Sequence, residues 1–218
     1  MKKKLSALAL ALVLALSLCL TGCGGSDTLT LNVYNWGEYI SDGSDGSLDT
    51  IHAFEDWYES TYGQKVKVNY STYASNEDLY AKLKSGAVSY DVIIPSDYMI
   101  ARLKDEGMLQ PLNFDNIPNY QHIHEGFQGL YYDPDNQYSV PYTYGVVGII
   151  YDANQVDPAD AQGWDLMWNE KYAGKILQFN NSRDALGVAL KYLGYSYNTT
   201  DPAQITAATD LLIQQKPL

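Results

Sequence analysis

Trp36, Glu38 and Tyr39 fall within four residues of one another in YNWGEYI, positions 34–40. An indole, a carboxylate and a phenol at this spacing suit the capture of an organic cation. A carboxylate beside an ammonium supplies attraction, since unit charges about 4 Å apart interact by about 4 kcal/mol at an effective dielectric of ~20, before desolvation. Ring faces supply about 0.5–2 kcal/mol more and cover the methylenes between charges. Ser96, Tyr98, Tyr142 and Tyr144 extend the same mixture of hydroxyls and rings. For Trp36 the competing account is core packing, and for Glu38 a solvated surface. Their place at a strand's end, beside Ser96 and Tyr98, favours a site.

Catalytic constellations are sparse. Glu38 with Asp184 could form the carboxylate pair of a glycoside hydrolase, but no motif fixes their separation. GxSxG, HExxH, P-loop and GxGxxG patterns are all absent. His122 and His124 flank Ile123 in a polar stretch and read as solvated histidines. Asp42, Ser44 and Asp45 lie in DGSDG (42–46), which lacks the twelve-residue calcium-loop pattern and reads as a surface turn. Asn198-Thr199-Thr200 is a glycosylation sequon in letters alone, because the chain's leader is of bacterial type.

The elements that would position the binding residues follow from periodicity. LTLNVYNW alternates as a strand, and 48–62 has apolar residues at helical spacing, stopped by Gly63. KVKVNYSTY (65–73) is a second strand. Asn76 is expected to cap a helix running to Lys84, before Gly86. YDVIIP (90–95) is an apolar run of the kind buried in parallel sheets, followed by a helix over 100–106. This β-α-β-α-β-α order predicts an open α/β sheet, whose ligands bind outside the carboxyl ends of its strands. Trp36 and Glu38 follow the first strand, Thr72 and Tyr73 end the second, and Ser96 and Tyr98 follow the third. After a turn-rich stretch over 113–137, strands are expected over 138–152 and in KILQF (175–179), with helices over 184–193 and from Pro202 onward, the last capped by Asp201.

The N-terminus is a targeting segment. Lys2, Lys3 and Lys4 precede an apolar run over 5–20, and then Leu20-Thr21-Gly22-Cys23. This is a secretory leader, its apolar core shorter than the ~20 residues of a spanning helix. A retained N-terminal anchor is the alternative. LTGC resembles the bacterial lipobox, which makes Cys23 the lipidated first residue of the mature chain, held at a membrane by its acyl chains. GGSD is then a tether. Cys19 leaves with the leader, so no disulfide remains. Net charge is −12, and more negative once the leader lysines are removed. That excludes nucleic acid as a natural partner and favours a cation. Twenty tyrosines and four tryptophans exceed what a core requires and suit half-wet binding surfaces.

These segments together resemble the spermidine/putrescine-binding proteins, the extracytoplasmic receptors of polyamine ABC importers. YNWGEYI, STYASNEDLYAKLKSG, YDVIIPSDY, EGMLQPL, YSVPYTYG, YAGKILQF and LGYSYNTTDP follow in family order, so the resemblance runs from Leu29 to the C-terminus. It implies an α/β, type II periplasmic-binding-protein-like fold: two α/β lobes with a hinge, clamping ligand between them, the second lobe incomplete here. The implied layout is leader 1–22, tether 23–28, first lobe 29–147 and partial second lobe 148–218. Carried over position by position, Trp36 resembles the aromatic wall, Glu38 the first lobe's acid, Tyr39 its adjacent tyrosine, and Ser96 and Tyr98 the pair after the third strand. Asp184 matches a family acid. Asn181 stands where spermidine receptors carry an aspartate, which removes a negative charge and leaves putrescine and spermidine both open. Gly37 replaces a small polar residue, and DGSDG looks like an insertion. Family members continue well past residue 218, with further tryptophans and another acid.

The function implied is polyamine capture without catalysis or cofactor. The partners implied are a permease and, through Cys23, the outer face of the bacterial cell membrane (the periplasmic space in a two-membrane cell). A same-fold receptor for an amino acid or other cation stays open, as do a carboxylate-dependent hydrolase and a non-functional truncated product.

Overall fold

The structure is a computed structural model that describes residues 28–218. The leader and the lipobox cysteine, Cys23, lie outside the described residues. The chain divides into two compact units between Tyr142 and Thr143.

The first unit is built on a three-stranded parallel sheet of order β2-β1-β3. β1 is Leu29–Trp36, β2 is Val66–Tyr73 and β3 is Val92–Ile93. β1 and β2 pair along their whole length, from Leu29 opposite Val66 to Trp36 opposite Tyr73. β3 pairs β1 only through Val33–Val92 and Tyr34–Ile93. The apolar run expected as a full strand is therefore short. Past Ile94, Pro95 has no N–H to donate, so the ladder stops there.

Helices connect the strands. α1 (Thr50–Tyr62) starts where the Asp49 carboxylate accepts from His52 N, and ends at Gly63, whose φ of 69° closes the last turn. α2 (Asn76–Lys84) is capped by Ser75 and not by Asn76 as expected. The Ser75 hydroxyl accepts from Asp78 N at 3.1 Å, capping the helix, and donates to the Asp78 carboxylate at 2.7 Å. α3 (Asp97–Asp105) starts three residues earlier than expected and buries Met99, Ile100 and Leu103. Tyr34, Tyr73, Leu79, Met99 and Leu103 form the core, with Trp36 and Tyr98 packed against it. α1 buries no residue fully. Its rings gather instead, with Phe54, Trp57, Tyr58 and Tyr62 in mutual contact.

Beyond α3 the chain runs through short 3-10 turns. Asp133 organises the end of this stretch. Buried, it accepts from Gln137 N, Tyr138 N, Ser139 N and the Ser139 hydroxyl at 2.9–3.1 Å.

The second unit contains α4 (Ser182–Tyr192) and α5 (Pro202–Gln215), joined through Ala189, Leu190 and Ala208. Trp168 stacks on Tyr192 and donates its indole N–H to Leu211 O at 3.1 Å. The strands expected over 138–152 and 175–179 do not form, and no strand occurs in this unit among the described residues. A strand needs a neighbour to take its N–H and C=O groups. No described segment pairs with these runs, and Ile150 and Leu177 stand 100% and 93% exposed.

Candidate functional site

All three strands run in one direction, so their carboxyl ends share one edge of the sheet. β1 delivers Trp36 there, opposite Tyr73 on β2. The two rings touch, with centroids 4.7 Å apart, and Tyr39 comes within 6.1 Å of the indole. Tyr73 is the floor. It is buried, and its hydroxyl donates to Ile94 O at 2.6 Å, tying β2 to the chain leaving β3. Burial first, and then the phenols of Tyr39, Tyr34 and Tyr98, push its own phenol well above the ordinary tyrosine range. It is a neutral packing surface.

Trp36 is half-buried, whereas Gly37, Glu38 and Tyr39 are exposed. Glu38 has φ 60°, in the left-handed region that residues other than glycine seldom occupy. Such strain persists where surrounding structure holds it, and it gathers at functional turns. The Tyr142 hydroxyl donates to Tyr39 O from the far end of the unit and fixes the loop there. At its near end, Thr50 N donates to Ser41 O, and the Ser41 and Thr50 hydroxyls bond at 2.8 Å.

Ser96 and Tyr98 meet through Asn76, whose type and position suit a helix cap. Asn76 is buried, 1% exposed. Its Oδ1 accepts from Ser96 N at 3.2 Å, and its Nδ2 donates to the Tyr98 hydroxyl at 2.8 Å. Tyr98 in turn donates to Glu77 Oε1 at 3.2 Å. One amide thus holds both the backbone of the β3–α3 turn and the phenol beyond it. The Ser96 side chain makes no capping bond to α3. The signal that could have found this was the Ser75-Asn76 pair: serine already serves the cap, which leaves the asparagine for other work.

Asn181 and Asp184 belong to the second unit. Asn181 caps α4, its Oδ1 accepting from Arg183 N at 3.0 Å and Asp184 N at 3.5 Å. Asp184 accepts from the Tyr197 hydroxyl at 2.9 Å. Tyr144 is also in this unit and is 75% exposed. No cluster of three or more metal-ligating side chains occurs among the described residues.

Residues 50–217 match the family of bacterial extracellular solute-binding proteins, and the chain belongs to that family. It is 37% identical over 194 residues to the spermidine/putrescine-binding periplasmic protein of Escherichia coli, covering 88% of this chain and 52% of that protein. To the putrescine-binding periplasmic protein SpuD of Pseudomonas aeruginosa it is 32% identical, again covering 88% and 52%. Among solved structures, the TpPotD lipoprotein of Treponema pallidum superposes with a TM-score of 0.72 at 33% identity, covering 86% of this chain and 56% of that one. The substrate-binding protein PotD of a Streptococcus pneumoniae spermidine/putrescine transporter, in complex with calcium and HEPES, gives 0.64 at 36%, covering 87% and 55%. The chain spans about half the length of the curated relatives it matches. Its fold is the α/β fold of these binding proteins, with the parallel sheet in the first unit and the second lobe present in part. The family binds solutes and is not a family of enzymes.

Proposed function

We propose that this chain is the ligand-gripping portion of an extracytoplasmic polyamine receptor, which passes putrescine or spermidine to the permease of an ABC importer. The carrying observation is the meeting of Trp36, Tyr39 and Tyr98 around buried Tyr73 at the carboxyl edge of a parallel sheet, with Glu38 on the loop above. In this reading Trp36 and Tyr98 cover methylenes, Tyr39 and Ser96 offer hydroxyls, and Glu38 offsets an ammonium. In the second unit Asp184 supplies another carboxylate, while Asn181 offers an amide without charge. The likeness to polyamine-binding relatives supports the ligand class. Binding is non-covalent.

Calorimetry with putrescine, spermidine and 1,4-butanediol tests this. Heat is expected from the amines and none from the diol. No heat from either amine sinks the polyamine assignment. Lipidation at Cys23 is part of the same proposal, supported by a relative that is itself a lipoprotein. Cys23→Ser should move the protein from the membrane fraction to the soluble fraction, and unchanged partition would refute the anchor.

A further inference from the structure

We infer that Tyr197 is a positioning residue for Asp184, setting it to receive a primary ammonium and to refuse a guanidinium. This rests on reading Asp184 as a ligand-binding acid. Asp184 lies in the first turn of α4, where a carboxylate often folds back onto the helix N–H groups. Here Asn181 already takes the N–H groups of Arg183 and Asp184. Asp184 is thus relieved of capping and is held from outside the helix, its Oδ1 accepting from the Tyr197 hydroxyl at 2.9 Å.

Gly187 makes this possible. It lies three residues along α4, on the same face as Asp184, and is buried. A Cβ at this position would overlap the edge of the Tyr197 ring, 2.6 Å from Cδ2 and closer still to Cζ and Cε2. The backbone there is helical and sets no demand for glycine, which costs stability in a helix interior relative to alanine. The demand comes from the ring. It lies against the bare helix at Gly187 and its hydroxyl reaches back one turn to Asp184.

With one acceptor site of Oδ1 held by Tyr197, Oδ2 is the oxygen that keeps both of its own for a ligand. A single acceptor serves an ammonium, which is a compact point charge. A guanidinium gains most from two parallel bonds to both carboxylate oxygens, and the Tyr197 hydroxyl competes with it for Oδ1.

The test is calorimetry on the full chain with two symmetric probes, putrescine and 1,4-diguanidinobutane. Tyr197→Phe keeps the ring and removes the hydroxyl. Gly187→Ala displaces the ring. Each should shift the putrescine-to-diguanidine affinity ratio about tenfold or more toward the guanidine, the effect of one hydrogen bond to a charged group. Asp184→Asn should weaken putrescine binding, and adding Tyr197→Phe to it should change nothing further. If Asp184→Asn weakens putrescine while Tyr197→Phe leaves the ratio unmoved, or moves it equally in both backgrounds, the inference fails and the site reading stands. If Asp184→Asn binds putrescine as tightly as the parent, the site reading fails and takes the inference with it.

Discussion

Glu38 combines two oddities at one position: an exposed carboxylate and a left-handed backbone. Glycine would adopt that backbone freely, so the side chain is kept against a conformational cost. Glu38→Gly should therefore match or exceed the parent in thermal stability while weakening polyamine binding about tenfold or more, the scale of a lost charge-assisted contact. Glu38→Gln should lose comparable affinity without the stability gain. Thermal melts beside calorimetry separate the two effects, and unchanged affinity in both variants would remove Glu38 from the site. The acid and the indole were legible in the sequence because their types, at a strand's end, state their chemistry. Asn76 was not legible in that sense. Its type and place suit a cap, and only the turn brought against it from β3 shows that its amide holds Ser96 and Tyr98.

Between elements, α2 and α3 are tied by Glu106. Lys84 Nζ approaches it at 2.6 Å and Arg102 Nε at 3.0 Å, and the Tyr80 hydroxyl donates to it at 2.9 Å. Arg102 also lies 3.6 Å over the Tyr80 ring. Lys84 first, then Arg102 and Tyr80, hold the Glu106 carboxyl down to about 2, from an ordinary 4.5. A depressed carboxyl contributes stability that is complete above its unfolded value and is lost as pH falls through the folded one. Asp133 carries the same sign: burial opposes its charge, but the N–H groups of Tyr138 and Gln137 and the Ser139 side chain prevail, so its pKa also lies below the usual range. Melting temperature should fall between about pH 4.5 and 2, and Glu106→Gln should flatten that fall. A profile identical to the parent's would show that the tie contributes nothing, as exposed pairs sometimes do. α1 and α2 were legible because apolar spacing and stopping glycines are local signals, although the cap of α2 is Ser75 and not Asn76. The runs at 138–152 and 175–179 were misread as strands, because alternation and apolarity describe a side-chain pattern and do not supply a pairing partner.

For the whole molecule, charge and ligand bear on each other. A chain of net charge −12 attracts a multivalent cation over distances that salt screens. Polyamine affinity should weaken as sodium chloride rises from 50 to 500 mM, more for spermidine than for putrescine, and calorimetry across that range measures it. Affinity indifferent to salt would argue for an apolar mode of binding. The sequence by itself determined what is local or periodic: the order of strands and helices in the first unit, the stopping glycines, and the gathering of Trp36, Tyr73 and the Ser96–Tyr98 turn at the carboxyl ends of parallel strands. Tertiary structure alone decided which segments found hydrogen-bonding partners, that Tyr73 forms the floor beneath Trp36, and that Asn76 clamps a turn twenty residues away. It alone decided that Gly187 is bare so that Tyr197 can reach Asp184. The reason is physical: a sequence pattern states which face of an element is apolar or polar, but the atom that fills the space above that face comes from elsewhere in the chain.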